Sequence, residues 1–245
     1  MKTIHPSELS PMQVQMILQT AVSPRPIALA STIDKNGNVN LSPFSFFNLF
    51  SSNPPILIFS PARRVRDNST KDTLHNVLEV PEVVIGNVNF NMVQLVSLSS
   101  TEYETGVDEF IKSGLTKKPA ELVKPPLIAE SPVNFECKVI EVKPLGNEGG
   151  AGNLVICEVL KIHIREEFLN EEGNLDQKKL DLVSRLGGNW YGRTSAETLF
   201  EVPKPLVTKG IGFDQLPSEI RNSKIFTGND LGMLANVEQL PEGNF

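Results

Sequence analysis

The segment VNFECKVIEVKPLGNEGGAGNLVICEVLKIHI, residues 133–164, decides the fold class. Its first part, residues 133–142, alternates apolar and polar side chains, and its last part, residues 153–164, is rich in β-branched residues. Both patterns predict β-strands. Between them GNEGGAGN, residues 146–153, forms a glycine-rich hairpin loop. A long antiparallel hairpin is therefore the predicted centre of the fold.

Shorter apolar runs before this hairpin are further predicted strands, at residues 24–33, 39–41, 55–60 and 82–88. DKNGN, residues 34–38, is a turn with Asn-Gly at its tip, and NEEGN, residues 170–174, is another. Several short strands with turns between them and few helices indicate a mainly β barrel or sandwich.

Helices are predicted only at the periphery of this sheet. The first spans residues 7–20, with Ser7 or Ser10 as its cap. A second follows Ser69, which fits a capping box with Asp72. Shorter helices are predicted around Met92, Leu95 and Val96 and near residues 216–221.

The length of 245 residues and a hydrophobic content of 40% suit one large domain or two small ones. We predict one domain over residues 1–245, with a barrel core in about residues 20–165. Residues 101–130 form a long excursion from this core, and about residues 200–245 form an extended C-terminal arm.

The charge balance is mildly acidic, with 23 Lys and Arg against 29 Asp and Glu. Such a protein is a poor general binder of nucleic acid or of acidic membranes. No apolar run approaches the roughly 20 residues of a spanning helix, and the N-terminus lacks the apolar core of a signal peptide. Cys137 and Cys157 show no metal-type spacing, so we expect buried free thiols and a cytoplasmic location.

Catalytic and metal motifs are sparse. The three histidines are scattered, and the sequence has no HExxH motif, no paired CxxC and no Ser-x-Gly elbow. His75 and His163 are predicted to be structural, and neither a metal site nor a catalytic side chain is predicted. GNEGGAGN precedes a strand, whereas a dinucleotide fingerprint needs a following helix. A plain hairpin loop is favoured there, with a phosphate contact as the alternative.

SPARRVRDNSTKDT, residues 60–73, is a candidate anion site. It places three arginines, a lysine and several hydroxyls before a predicted helix start. The free N–H groups of a helix N-terminus attract phosphate, and the arginine fork suits phosphate oxygens. The alternative is a solvated basic loop capped by Ser69.

SPFSFFNLFSSNPP, residues 42–55, has apolar residues with a period of neither 2 nor 3.6. One interpretation is a buried loop with core phenylalanines. The other is the wall of an apolar slot with a polar edge, which a flavin ring needs.

Five segments taken in order resemble the flavin reductase-like family with the FMN-binding split-barrel fold. They are PRPIALASTIDKNGNVNLSPFSFFN, PPILIFS, KDTLHN, EYETGVDEFIKSGLT and ESPVNFECKV. RLGGNWYGR and IRNSKIFTGNDLG resemble one branch of that family, and the resemblance runs from about residue 20 to about residue 240. It implies a six-stranded Greek-key split β-barrel that forms a homodimer, with FMN near the subunit interface.

The resemblance also implies a set of FMN-binding residues. Residues 40–48 would run along the isoalloxazine ring, and residues 71–73 would help to hold the phosphate or ribityl chain. Arg25 would lie at the pocket edge. Trp190 and its neighbours would close the pocket, from the other subunit, or else pack in the dimer. The full set is Arg25, Asn40, Ser42, Phe44, Ser45, Phe46, Phe47, Asn48, Ser60, Arg64, Lys71, Asp72, Thr73, Trp190, Tyr191 and Arg193.

Members of this family commonly pass a hydride from NADH or NADPH to flavin, and some supply a partner monooxygenase. The cofactor carries such chemistry, so no side-chain base is required. An FMN-binding electron carrier without NAD(P)H activity is the alternative, and a pyridoxal phosphate enzyme is a third hypothesis. Compared with the diffusible reductases of the family, the excursion and the arm favour a bound flavin. We expect the arm to dock Ile211, Phe213 and Leu216 on a second subunit.

Overall fold

A computed structural model describes residues 1–205 and 209–240 of the chain. Its contacts divide the chain into two units, Met1–Leu199 and Phe200–Phe245. The second unit begins where the sequence predicts the C-terminal arm. Residues 206–208 and 241–245 of that predicted arm lie outside the described residues.

The strands of the described residues all lie in the first unit. They are β1 (Ala28–Ile33), β2 (Val39–Phe44), β3 (Phe47–Ser52), β4 (Pro55–Phe59), β5 (Glu82–Gly86), β6 (Lys117–Lys118), β7 (Leu127–Ile128), β8 (Val133–Pro144), β9 (Asn153–Ile164), β10 (Val183–Arg185) and β11 (Tyr191–Arg193). The helices are α1 (Pro11–Ala21), α2 (Asp72–Glu79), α3 (Val93–Leu98), α4 (Glu109–Ser113), α5 (Gln177–Leu180), α6 (Ser218–Arg221) and α7 (Gly228–Ala235). The mainly β prediction is confirmed.

Seven strands form one antiparallel sheet in the order β2-β1-β5-β8-β9-β4-β3. Its two edge strands, β2 and β3, are consecutive in the sequence and are separated only by Ser45 and Phe46. Three residue steps span at most about 11 Å, so the two edges must lie close together. The sheet therefore curls into a barrel that is split at a seam, which we define as Ser45–Phe46.

The resemblance implies six strands, and the sheet has seven. The difference arises at the seam, because residues 39–52 contribute β2 to one edge of the sheet and β3 to the other. This division also explains the irregular apolar pattern of residues 42–55. A single period cannot run through a segment that changes its strand partner halfway.

The core lies on both faces of the sheet. Alternate residues of β1, β4, β5, β8 and β9 form one cluster, as the two-residue period of a strand requires. Cys137 and Cys157 belong to this cluster and are free and buried, as predicted. Burial raises the pKa of Cys137 to about 12, so this thiol is unreactive. The opposite face packs Leu29 and Val84 against Met92 of the segment that leads into α3.

The turns and caps test the local predictions. The hairpins at residues 34–38 and 146–152 are confirmed, with Ile33 paired with Val39 in the first. Gly37 has φ +90°, a conformation that favours glycine. Ser10 caps α1 through a capping box with Gln13.

The capping box predicted between Ser69 and Asp72 is wrong. Lys71 is the N-cap residue of α2, and no side chain caps this helix. The Ser69 hydroxyl instead donates to Asp67 Oδ1 at 2.5 Å and accepts from Arg64 at 3.0 Å. Local hydrogen bonding among residues 64–69 therefore outcompetes the predicted capping of α2 by Ser69.

The second unit contains the predicted short helix, as α6, and also α7, which the sequence analysis missed. Thr227 begins α7 through a capping box with Asp230. Leu216, Ile220 and Leu231 form a small core with Ile211 packed against it. Leu216 is thus buried within its own unit and is not free to dock on a neighbour, contrary to our expectation.

The excursion at residues 101–130 is attached to the sheet through Glu136 of β8. This carboxylate is fully buried and accepts hydrogen bonds from the amides of residues 121–123 and from His163 Nε2 at 2.5 Å. His163 is therefore structural, as predicted. Burial raises the pKa of Glu136, but the hydrogen bonds outweigh that effect and the net shift is downward.

We expect Glu136→Ala to lower the free energy of unfolding by about 3 kcal/mol, because three amides and His163 lose a buried acceptor. Urea unfolding at neutral pH measures this change. Glu141→Ala, at an exposed position of the same strand, is the control and should change stability by less than about 0.5 kcal/mol. Equal midpoints for the two variants would contradict the role of Glu136.

The downward pKa shift also sets a pH dependence for the same bond network. Because the folded-state pKa lies below the unfolded value, the contribution of Glu136 is present at neutral pH. It is lost as the pH falls through the folded-state pKa. The stability difference between wild type and Glu136→Ala should therefore shrink in acid.

Candidate functional site

A cavity of about 760 Å³ lies in the first unit beside the seam. This volume is within the range of sites for small molecules and cofactors. Five segments line it: the N-terminal segment with α1, the end of β2 with the seam, residues 60–71 after β4, the β8–β9 loop, and the start of the excursion at Glu102. The lining residues are Pro6, Leu9, Pro11, Met12, Val14, Gln15, Leu18, Gln19, Pro43, Phe44, Ser45, Phe46, Ser60, Ala62, Arg63, Arg64, Val65, Arg66, Lys71, Glu102, Gly149 and Gly150.

The seam forms an apolar wall with hydroxyl groups. Phe44 is buried and packs against Phe59, with ring centroids 5.2 Å apart. The Ser60 amide donates to the Phe46 carbonyl at 2.8 Å, which extends the β3–β4 pairing to the seam. Ser45 and Ser60 also line the cavity. This wall can accept a flat ring and offer hydrogen bonds at its edge.

The basic loop, residues 61–71, forms a cationic wall. Arg63, Arg64, Arg66 and Lys71 line the cavity together with one carboxylate, that of Glu102. Positive charge therefore exceeds negative charge among the lining side chains. Such an excess favours a ligand that carries an anionic group, and a phosphate suits the arginine forks.

Arg63 and Arg64 are held in place by residues of the loop and by Glu102 of the excursion. Arg63 donates to the Asn68 side chain at 2.6 Å and to the Asn68 carbonyl at 2.9 Å. Arg64 donates to Glu102 at 2.9 Å and also to Ser69. Because these contacts fix the guanidinium groups in advance, less side-chain entropy is lost when an anion binds.

The glycine-rich β8–β9 loop packs against the basic loop. A Cβ at Gly149 would lie 3.0 Å from the carbonyl oxygens of Arg64 and Val65, so a larger residue would press on the backbone of the basic loop. The Gly150 amide donates to the Arg63 carbonyl at 2.9 Å. The loop is a hairpin, as predicted, and its two central glycines reach the cavity wall.

Helix α1 forms the remaining wall. Residues Pro11, Met12, Val14, Gln15, Leu18 and Gln19 line the cavity, and their spacing of three and four places them on one helix face. No residue of α1 is buried, and Met12 and Leu18 are 61% and 54% exposed. The helix thus bounds the cavity without filling it.

Arg25 attaches α1 to the rest of the site. Its guanidinium donates to the carbonyls of Gln19 and Val22 near the end of α1, at 2.5 Å for Val22, and to the Leu186 carbonyl at 2.9 Å. Its Nε lies 3.5 Å from Ser45 Oγ at the seam. Burial lowers the pKa of Arg25, and Arg185 lowers it further. Arg25 therefore supports the cavity wall from behind.

Six of the sixteen residues predicted from the resemblance line the cavity, and their cofactor roles stay predictions. They are Phe44, Ser45, Phe46, Ser60, Arg64 and Lys71. Arg25 supports the wall, and Ser42 is buried and accepts from Lys71 at 3.3 Å. Phe47 packs against the core, and Asn48 is exposed with its Oδ1 bonded to the Leu49 amide.

Three further predicted residues, Asn40, Asp72 and Thr73, do not line the cavity. Two of them, Asn40 and Thr73, belong to a buried hydrogen-bond network behind its wall. Thr73 donates to Asn40 at 2.7 Å, and Asn40 donates to Glu109 at 2.9 Å. Glu109 also accepts from the Leu41 amide at 2.9 Å. Asp72 begins α2 and accepts from Thr105. The network ties α2 and α4 to β2, which is a structural role that the sequence analysis did not separate from binding.

Trp190, Tyr191 and Arg193 lie elsewhere in this chain. Tyr191 and Arg193 line a smaller cavity of about 200 Å³ near Phe90, and Trp190 is largely exposed. Arg193 forms a bidentate pair with Asp181 and lies 3.8 Å from the Phe90 ring centroid. Their predicted role in closing the flavin pocket from a second subunit stays a prediction.

Sequence reasoning missed the α1 wall and Glu102. The sequence did contain a signal for the α1 wall. The apolar and amide residues of α1 recur at helical spacing on one face, yet no residue of this helix is buried in the core. Arg63 and Arg66 stand within the basic segment that was singled out, but the resemblance assigned a role to Arg64 alone.

Within residues 1–205 and 209–240, no group of three or more His, Cys, Asp or Glu side chains is arranged to hold a metal ion. No helix among those residues has both the length and the apolar character needed to span a bilayer.

The sequence and the fold were compared with those of known proteins. The flavin reductase like domain matches residues 21–181. An uncharacterized protein of Halalkalibacterium halodurans is 37% identical over 208 residues, which are 84% of this chain and 98% of that protein.

Two solved structures are similar at 27% identity. Nitrilotriacetate monooxygenase component B from Bacillus cereus gives a TM-score of 0.75 over 83% of this chain and 98% of its own. The 2-nitrobenzoate 2-nitroreductase of Pseudomonas fluorescens gives 0.73 over 85% of this chain and 100% of its own. A flavin reductase structure with a split barrel domain, from Shewanella frigidimarina, gives a TM-score of 0.68 at 22% identity over 82% of this chain and 96% of its own. This similarity confirms the predicted split-barrel fold.

We expect Arg25→Met to release α1 from the cavity, because the carbonyls of Gln19, Val22 and Leu186 lose their shared donor. Limited proteolysis should then cleave residues 1–22 several-fold faster than in wild type. The unfolding of the rest of the chain is measured separately. Arg66→Met is the control, since Arg66 lies at the exposed rim and does not contact α1. Unchanged cleavage of Arg25→Met would show that α1 is held by other contacts.

Proposed function

The chain belongs to the flavin reductase like family, and from this premise we propose that it binds FMN and transfers a hydride from NADH or NADPH to flavin. The observation that carries the proposal is the cavity at the seam. It combines an apolar wall with hydroxyls and a preformed cationic wall. An aromatic ring that carries a phosphate needs both kinds of wall in one site.

The cationic wall fits the phosphate of FMN. The loop already fixes the guanidinium groups of Arg63 and Arg64, and the lining has one carboxylate against four cations. Riboflavin lacks the phosphate and would leave these charges without an anion. The proposal is therefore FMN rather than riboflavin, with Ser60 near the ribityl chain.

The apolar wall fits the ring. Phe44 and Phe46 offer surface for an aromatic system, and Ser45 offers a hydroxyl at the edge of that surface. On the opposite side α1 contributes Met12 and Leu18, whose side chains are exposed toward open space. A ring in this position would bury these side chains and gain the stabilisation of apolar contact.

When bound, FMN would supply the redox chemistry by taking up a hydride from the nicotinamide. The residues of the chain would orient the ring, exclude water from it and balance its charge. None of these tasks requires a general base, which agrees with the absence of a catalytic triad in the sequence. The relatives named as a monooxygenase component and a nitroreductase support an oxidoreductase and make a monooxygenase a candidate partner.

The second candidate function is an FMN-binding electron carrier without NAD(P)H activity. The observation that favours it is α1, which bounds the cavity and lies almost entirely outside the matched domain. A helix over the cavity would slow the exchange of flavin and limit access for a second nucleotide. Both candidates share the FMN site and the cytoplasmic location that the buried thiols favour.

We expect the FMN-loaded protein to lose its visible flavin absorption when NADH or NADPH is added without oxygen, and to regain it when air is admitted. The nucleotide that acts faster identifies the donor. Flavin that stays bound and oxidised with both nucleotides would favour the electron carrier. Failure of the wild-type chain to bind FMN would contradict the proposed function as a whole.

A substitution in the cationic wall tests the same site without removing an element of the fold, and a substitution far from the wall is its control. Arg63→Met should lower the affinity for FMN roughly tenfold or more, because a charge-assisted hydrogen bond is lost. Lys138→Met, at an exposed position of β8, should leave binding and reduction unchanged. An equal loss in both variants would indicate a general effect of charge.

We also propose that the chain forms a homodimer. Among the residues that the structure describes, the edge strand β3 pairs with β4 alone, and its Leu49 and Phe50 are 62% and 63% exposed. Phe46 at the seam and Met16 and Ile17 on α1 are exposed as well. Exposed apolar side chains on an edge strand are a liability unless another surface covers them, and a second copy would do so.

We expect light scattering to give the mass of two chains and Phe50→Glu to give the mass of one. The reason is that a carboxylate on the proposed interface would be buried without a partner. Leu122→Glu, at an exposed position away from β3, is the control and should remain dimeric. A wild-type mass of one chain at every concentration would contradict the homodimer.

A further inference from the structure

Lys71 differs from the other cations of the cavity. Its ammonium donates to Ser42 Oγ at 3.3 Å and lies 4.9 Å from the centroid of the Phe44 ring. Within the described residues it forms no ion pair with a carboxylate. An ammonium has three donors, so Lys71 keeps donors free toward the cavity that it lines.

The arginines, in contrast, are each anchored by hydrogen bonds to protein groups and keep only part of their five donors for a ligand. Arg63 is held by Asn68, and Arg64 is held by Glu102 and Ser69. Lys71 is half-buried. Burial lowers its pKa, Arg64 lowers it further, and the carboxylates of Glu102 and Glu109 only partly oppose this shift.

A half-buried cation with free donors is costly, and an anion placed against it reduces that cost. The shared chemistry is a negative charge, which has two sources in FMN: the phosphate and the ring after reduction. The neighbours of Lys71 favour the ring, since Ser42 and Phe44 belong to β2 and to the apolar wall. The phosphate is served by the arginine side of the basic loop.

Resting on the proposed function, we propose that Lys71 faces the isoalloxazine ring and stabilises the reduced flavin. A hydride brings two electrons and one proton from NAD(P)H, which leaves as NAD(P)⁺. The ring thereby gains one negative charge. The Lys71 ammonium supplies the matching positive charge without transferring a proton, so that it binds reduced flavin more tightly than oxidised flavin.

The test is the midpoint potential of bound FMN, together with the affinities for oxidised FMN and for riboflavin, in wild type and Lys71→Met. We expect a lower potential in the variant, equivalent to a loss of roughly tenfold or more in the affinity for reduced relative to oxidised flavin. The affinities for oxidised FMN and riboflavin should change in parallel. Lys71→Arg keeps the charge and should restore most of the potential.

Arg63→Met provides the matched comparison. It should lower the affinity for FMN relative to riboflavin, because only FMN carries the phosphate, and it should leave the potential nearly unchanged. The two substitutions thus separate ring contact from phosphate contact in the same cavity. Lys71→Gln, which keeps a polar side chain, replaces Lys71→Met if the latter does not fold.

One result overturns the inference and leaves the proposed function intact. It is a Lys71→Met variant that binds FMN weakly, binds riboflavin as wild type does and keeps the wild-type potential. Lys71 would then contact the phosphate. If wild type binds neither flavin, the inference and the proposed function both fail.

Discussion

The hydrogen bond from the Ser60 amide to the Phe46 carbonyl carries the pairing of β3 and β4 to the point where the barrel is split. The rest of the site depends on this closure. Because β2 and β3 are consecutive yet belong to opposite edges of the sheet, the chain must cross the seam within two residues. The crossing lines the cavity with Pro43–Phe46, which offer apolar surface together with the Ser45 hydroxyl. In a continuous strand, successive side chains point to opposite faces, so the apolar surface and the polar group beside it would not both face the cavity.

Charge imposes the second constraint. The basic loop is attached on one side to the glycine-rich loop, where Gly149 permits backbone contact, and on the other to α2. This attachment holds several cations beside a cavity that offers one carboxylate. Repulsion among them is a cost that the fold bears until an anion is bound. The excess of cations among the lining residues therefore favours a negatively charged ligand at this loop.

Sequence patterns predicted the parts that have local causes. The alternation of residues 133–142 reports a strand with one buried face, and the Ser10 capping box reports a helix start. The seam was visible only as an irregularity in residues 42–55, since its cause is a partner exchange between distant strands. The cap at Ser69 failed because Asp67 competes for the hydroxyl, which depends on the tertiary shape of the loop.

The sequence pointed to the segments of the candidate site, but it did not show which residues of each segment line the cavity. Phe44, Arg64 and Lys71 were within reach because a resemblance pointed to their segments, and they line the cavity. Thr73 and Asn40 belong to the same segments but face the buried carboxylate of Glu109. Which face of a segment meets the cavity is decided by pairing across the sheet. A motif alone does not contain that information.

Arg25 shows how the additions to the domain are coupled to its centre. The domain match covers residues 21–181, so α1 mostly precedes it and the β10–β11 hairpin follows it. Arg25 lies inside the match and bonds to the end of α1, to Leu186 beyond the match and to Ser45 at the seam. Two segments outside the common domain thus meet on one residue within it. Changes in either segment can alter the cavity wall while the barrel stays the same, and this arrangement suits a family whose members act on different partners with one fold.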